Sequence, residues 1–127
     1  MSDPAAFHLS VIDETTIKHG RAYNFVELTL RDEDGVTHTR QIVRHRGAAT
    51  SLGLLGTEDG PRVLVGRNER HTVGARMDEL PAGGMEEGEA PEQTARRELR
   101  EETGYDAGSL EPIARFHTTP GITDELM

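Results

Sequence analysis

The segment from Pro91 to Gly104 constrains this chain most, because it reads as a helix with carboxylates on its packing side. Pro91 suits a first helical position, where its missing N–H costs nothing. Glu92 places negative charge at the positive end of the helix dipole. Gln93 to Thr103 are mostly good helix formers, and Gly104 is a natural stop. At about 100° per residue, Ala95, Leu99 and Glu102 fall in one narrow stripe. Glu98 lies on its edge and Glu101 just beyond, with Arg96, Arg97 and Arg100 on the opposite side. Charged runs on helices are usually solvated faces laced by pairs of opposite sign. Here Glu98 and Glu102 are like charges one turn apart, which costs a free helix roughly a few tenths of a kcal/mol. Three carboxylates beside a core stripe need a counter-charge, and a hard divalent cation is the natural one. Oxygen-only ligation suits Mg²⁺ or Mn²⁺ rather than a dedicated zinc site. Glycines at 83, 84 and 88 let the preceding loop approach closely and present carbonyl oxygens.

Around this helix the chain reads as strands: 7–12, 23–30, 36–43, 50–55, 63–65 and 110–116. Asp32-Glu33-Asp34-Gly35 suits a hairpin turn, Thr57-Glu58-Asp59-Gly60-Pro61 another turn, and Pro120-Gly121 a third. One helix among strands makes an α+β domain. At 127 residues there is room for one core, and with aromatics at 4% and no Trp it must be small and aliphatic. No internal repeat or low-complexity tract interrupts the pattern.

The net charge of −9 excludes nucleic-acid binding through a general basic surface. A phosphate compound must then be met by a local device, either a metal or a few placed arginines. Lys18 is the only lysine, and arginine binds phosphate bidentately where lysine cannot. No apolar run approaches the roughly 20 residues of a membrane span. Met1-Ser2-Asp3-Pro4-Ala5-Ala6 has no basic flank, so no signal peptide is expected. Zero cysteines exclude disulfides, thiolate zinc and a Cys nucleophile, and fit a cytoplasmic setting. The six histidines show no ligand-like spacing.

Gly83, then Glu89 after five residues, then Arg97-Glu98-Leu99 after seven more, then Glu101-Glu102 and Gly104, match the signature of the Nudix hydrolases. Only Tyr105 departs, where an aliphatic residue is usual. The resemblance extends outside this box. Glu79-Leu80-Pro81-Ala82-Gly83-Gly84 looks like the run leading into it in ADP-ribose pyrophosphatases and related nucleotide-sugar hydrolases. Arg67-Asn68-Glu69-Arg70 followed by Val73-Gly74 resembles that group's Arg-Gln-aromatic-Arg segment, with Asn68 and Glu69 departing. Thr119-Pro120-Gly121 with Asp124-Glu125 resembles its Ser-Pro-Gly followed by Asp-Glu. Pro120 lies sixteen residues after Gly104, the place of the proline associated with ADP-ribose specificity in the family.

The resemblance implies a Nudix-type α+β fold, a mixed β-sheet with the box helix, preceded by an N-terminal antiparallel β region. It implies a β region over 1–45 that serves homodimerisation and a Nudix hydrolase domain over 46–127. By the same analogy Glu98 and Glu102 ligate Mg²⁺ or Mn²⁺ together with the Ala82 carbonyl. Glu101 is a further ligand, directly or through water, or the base, which makes Glu98, Glu101 and Glu102 the catalytic set. Glu89 pairs with Arg97 to fix loop to helix, and Gly83 and Gly104 are structural. Arg70, Glu79 and Pro120 are candidates for substrate contact, with a plain surface arginine or a dimer contact as the alternatives for Arg70 and Glu79. The implied activity is metal-dependent hydrolysis of the pyrophosphate bond of ADP-ribose, or a related nucleoside diphosphate sugar, to AMP and ribose 5-phosphate. A Nudix hydrolase of nucleoside triphosphates or dinucleotides is one alternative, and a non-catalytic ADP-ribose-sensing module another. The intact set Glu98, Glu101 and Glu102 favours an enzyme. Six residues after Gly121, at about 3.3 Å each, cannot span a sheet and return as a helix. The domain is therefore expected to be shortened at its C-terminus, and weakly active or inactive as it stands.

Overall fold

The computed structural model describes residues 8–127. Phe7, the first residue of the expected 7–12 strand, lies outside the described residues. The chain forms two compact units, one holding the residues up to His45 with His117–Glu125, the other Arg46–Phe116 with Leu126–Met127.

In the first unit, β1 (Ser10–His19), β2 (Tyr23–Arg31) and β3 (Thr37–His45) form an antiparallel sheet in that order. The Asp32–Gly35 turn forms as expected. Gly35 takes a φ of +82°, which favours glycine, and the Asp32 carboxylate accepts the Val36 N–H at 2.8 Å. On the central strand β2, Val26, Leu28 and Leu30 alternate inward and form this unit's core, with Leu9 and Ile42 against it. Strand β1 runs on to His19, well past residue 12, because its polar stretch Asp13-Glu14-Thr15-Thr16 pairs along β2. Hydrogen bonding to an apolar central strand outweighs the weak pattern of an exposed edge.

The outer edge of β3 receives the Pro120-Gly121 turn. The Val43 N–H donates to the Ile122 carbonyl at 2.8 Å, and Val43 bridges Thr123 in parallel. Asp124 accepts the His45 N–H at 2.8 Å and Arg44 at 3.0 Å, while Arg44 also grips Glu14 of β1. These bonds place 117–125 with the N-terminal strands, whereas the expected boundary at 45/46 assigned that segment to the second domain.

In the second unit, β4 (Ala48–Thr50) pairs antiparallel with β9 (Ala82–Gly84), and α1 (Pro91–Thr103) packs against both. Between them lie the hairpins β5 (Leu54–Thr57) with β6 (Gly60–Val63), and β7 (Gly66–Arg70) with β8 (Ala75–Glu79). Ala48, Ala49, Ala95 and Leu99 are buried here. The expected strand 50–55 is split, because Ser51 turns inward. Its N–H donates to the Pro81 carbonyl at 2.9 Å and its hydroxyl to the Ala95 carbonyl at 3.2 Å. No ladder forms over 110–115 among the described residues. Only Phe116 pairs, exchanging two bonds of 2.9 Å with Met127.

The helix ends match expectation. Gln93 reaches back to the Ala90 N–H at 2.8 Å, and Gly104, at φ +75°, donates to the Arg100 carbonyl at 2.9 Å. Its buried stripe is rotated from the expected one: Thr94, Ala95 and Leu99 are inside, while Glu102 is exposed. No helix among the described residues is long and apolar enough to cross a membrane.

Candidate functional site

The site is built where α1 crosses the short strand β9. The β4–β9 ladder holds Ala82, Gly83 and Gly84 opposite Thr50, Ala49 and Ala48, and the Met85 N–H extends it to the Gly47 carbonyl at 3.0 Å. The Glu98 carboxylate lies directly on Gly83. A Cβ at position 83 would come within 2.0 Å of the Glu98 Cδ and Oε1. One turn further along the helix, Glu102 Oε2 accepts the Ala82 N–H at 3.1 Å. The two like charges that would repel on a free helix are thus seated on neighbouring residues of β9. Glu101 stands outside them, with its side chain 60% exposed, and touches Arg97 Nη1 through Oε2 at 3.3 Å.

Arg97 is the hub. Its Nε and Nη2 donate to the two oxygens of Glu89, each at 2.9 Å, in the fork geometry that makes such pairs strong. Its Nη1 donates to Glu98 Oε1 at 2.5 Å, and its Nη2 also reaches the Gly84 carbonyl at 3.0 Å. The expected place for Arg97, across the helix from the carboxylates, is therefore wrong for its guanidinium, whose long stem carries it round to them. Glu89 further accepts the Glu86 N–H at 3.0 Å and the Thr94 hydroxyl at 2.8 Å. The Arg97 guanidinium, then the Glu86 N–H and the Thr94 hydroxyl, hold the Glu89 carboxyl down to about 2, so it stays ionised in any ordinary buffer. Arg97 is pushed up in turn, chiefly by Glu89 and then Glu98.

Glu89, Glu98 and Glu101 share this one guanidinium, and Glu102 has only the longer-range pull of Arg70, which Glu79 already pairs, so negative charge is in excess. No three carboxylate or imidazole side chains among the described residues are drawn together tightly enough to hold an ion as they stand. The donor chemistry nevertheless fits a hard divalent cation. The oxygens are all carboxylate or carbonyl, two carboxylates are seated side by side on β9, and the local charge is uncompensated.

Arg70 and Glu79, the candidates for substrate contact, are each other's partners across the β7–β8 hairpin. Arg70 Nε donates to Glu79 Oε1 at 2.8 Å, and Asn68 adds a bond to Glu79 Oε2 at 3.1 Å. Glu79 is held below the usual carboxylate range by Arg70 and then Asn68. Arg70 is raised, mainly by Glu79 and to a lesser degree by the charge of Glu102. Pro120 belongs to the other unit, in the turn that leads to Ile122. Glu125 is engaged there as well, accepting from the Thr118 hydroxyl. Sequence reasoning missed two residues. Thr94 is fully buried, and its signal was a polar residue beside Ala95 in the apolar stripe. Asn68 departs from the family pattern and yet contacts Glu79.

Comparison with known proteins matches residues 44–125 to the NUDIX domain. Over 121 residues the chain is 38% identical to the ADP-ribose pyrophosphatase of Bacillus subtilis (strain 168), covering 91% of this chain and 64% of that protein. It is 36% identical over 122 residues to the methanol dehydrogenase activator of Bacillus methanolicus, covering 92% and 64%. It is 34% identical over 122 residues to the ADP-ribose pyrophosphatase of Mycobacterium tuberculosis, covering 95% and 58%. The chain thus spans less than two thirds of the length of these relatives. Among solved structures, an ADP compounds hydrolase superposes with a TM-score of 0.78 at 18% identity, covering 98% of this chain and 66% of that one, which is a likeness of fold.

Proposed function

The chain belongs to the Nudix family, and from that premise we propose that it hydrolyses the pyrophosphate bond of ADP-ribose, or a closely related nucleoside diphosphate sugar, with a divalent cation. The observation that carries this reading is the seating of Glu98 on Gly83 and of Glu102 on the Ala82 N–H. Those two carboxylates and the Ala82 carbonyl would hold Mg²⁺ or Mn²⁺, with Glu101 beside them. When bound, the cation supplies the charge that an acidic protein lacks for a pyrophosphate, and it lowers the pKa of water. Glu98 and Glu102 fix the place of reaction, and the Glu89–Arg97 pair braces the loop against the helix. Glu101, whose 60% exposed side chain touches only the Arg97 guanidinium at 3.3 Å, is the base we assign to take the proton of the attacking water. Water adds to one phosphorus, the bridging oxygen leaves with the other, and AMP and ribose 5-phosphate result.

The preference for ADP-ribose is supported by the run Leu80 to Gly84, by Pro120, and by the names of two relatives. We expect kcat/KM for ADP-ribose to exceed that for every nucleoside triphosphate in a panel. A triphosphate that outpaces ADP-ribose would overturn the substrate assignment, and binding of ADP-ribose without AMP release would point to a sensor.

The absence of cysteine supports a cytoplasmic setting, and the net charge of −9 argues against nucleic acid or an anionic membrane as a partner. We further propose a homodimer formed through the N-terminal strands. Strand β1 is an edge that leaves Val11, Ile12 and Ile17 exposed, a liability that pairing removes. Sedimentation at micromolar concentration should give twice the monomer mass; a monomer would count against it.

A further inference from the structure

We propose that Thr94 is a positioning residue: its hydroxyl fixes Glu89, and through Glu89 it sets the Arg97 guanidinium where it meets Glu98 over Gly83. The inference rests on the reading of Glu98 as a metal-holding carboxylate. Thr94 is 0% exposed and lies one helical turn before Glu98. Threonine inside a helix usually turns its hydroxyl back to the carbonyl four residues earlier. Here that contact, to Ala90, is long at 3.4 Å, while Glu89 Oε2 lies at 2.8 Å. The single hydroxyl proton therefore goes to the carboxylate.

Glu89 sits on the loop before the helix. Of its other donors, the Glu86 N–H belongs to the same loop and Arg97 is the group being positioned. Thr94 is thus the tie that anchors Glu89 to the helix independently of Arg97. A bidentate pair is rigid within itself, but it swings as a unit unless one end is fixed. The other end of the chain of contacts is Arg97 Nη1 on Glu98 Oε1. Because Thr94 is sealed from solvent, no water can replace its hydroxyl when it is removed.

The test compares wild type, Thr94→Val and Thr94→Ser by two readouts. The first is exchange of the Arg97 Nε–H with water, followed by ¹⁵N NMR without added metal. The second is Mn²⁺ affinity without substrate, from the electron paramagnetic resonance of free Mn²⁺. In Thr94→Val, exchange should speed up about tenfold as the pair opens, and Mn²⁺ should bind about tenfold more weakly, as when an outer partner of a ligand is lost. Thr94→Ser should restore both. Thr94→Ala, which adds no methyl against the carboxylate, serves if Thr94→Val does not fold. Unchanged Arg97 exchange in the folded hydroxyl-free variant would overturn the proposal and leave Thr94 a packing residue. Faster exchange with unchanged Mn²⁺ affinity would overturn its reach to Glu98. Absence of Mn²⁺ binding in wild type would instead overturn the functional reading, while the exchange rates still decide whether Thr94 holds Arg97.

Discussion

Gly83→Ala should lower turnover of ADP-ribose by about 100-fold or more, the scale of loss that follows when a reacting group is displaced by about an ångström. The cause is steric. Gly83 is not among the glycines with positive φ, so alanine meets no backbone strain. Its methyl group would instead fall 2.0 Å from the Glu98 carboxylate. The helix cannot retreat, because Ala95 and Leu99 are buried beneath it. Strand β9 cannot retreat without breaking its ladder to β4. The Glu98 side chain must therefore swing off its seat, a movement its flexible end can make but one that carries the carboxylate away from Gly83. Gly84→Ala is the matched control, since the nearest atom to a Cβ there is the Gly47 carbonyl oxygen at 3.9 Å. Activity and Tm of the two variants, measured side by side, check the account. Near-normal turnover in Gly83→Ala, or an equal loss in Gly84→Ala, would contradict it.

Glu102→Gln should lower kcat on the order of 10³-fold while leaving the protein folded. The amide keeps the size of the side chain and keeps an oxygen for the Ala82 N–H. What it removes is one negative charge from beside Glu98 and Glu101, a charge that Arg97 does not pair. Glu102 is exposed, and surface changes of this kind shift stability by only about 0.5 kcal/mol. Loss of activity with an unchanged thermal transition is therefore the expected pair of results. Normal turnover would remove Glu102 from the site, and a collapsed transition would make it a structural residue.

Helix α1 and its ends were legible because Pro91, Gln93 and Gly104 act locally, and the Asp32–Gly35 turn for the same reason. The spacing of Gly83, Glu89, Arg97, Glu98 and Glu102 marked the candidate site, because fixed gaps survive whatever packs around them. What escaped depended on contacts between distant residues. Strands β7 and β8 have no apolar alternation; they are held by cross-strand ion pairs, Arg67 to Asp78 at 2.6 Å and Arg76 to Glu69 at 2.8 Å. Strand β1 is polar and exists through its ladder to β2. Thr94 took the buried place that a helical wheel gave to Glu102, since a hydroxyl bound to Glu89 can be buried and a carboxylate on Ala82 need not be. The wheel also fixed only where the Arg97 stem leaves the helix, not where its guanidinium arrives. The run 110–116 has strand-forming residues, but among the described residues only Met127 pairs with it.

The most direct measurement is AMP release from ADP-ribose by the purified protein in Mg²⁺, then in excess EDTA, then with Mg²⁺ restored. AMP and ribose 5-phosphate should form in equal amounts, stop on chelation and resume when the cation returns. Undiminished hydrolysis in EDTA while the protein remains folded would contradict a site built on carboxylates seated over Ala82 and Gly83.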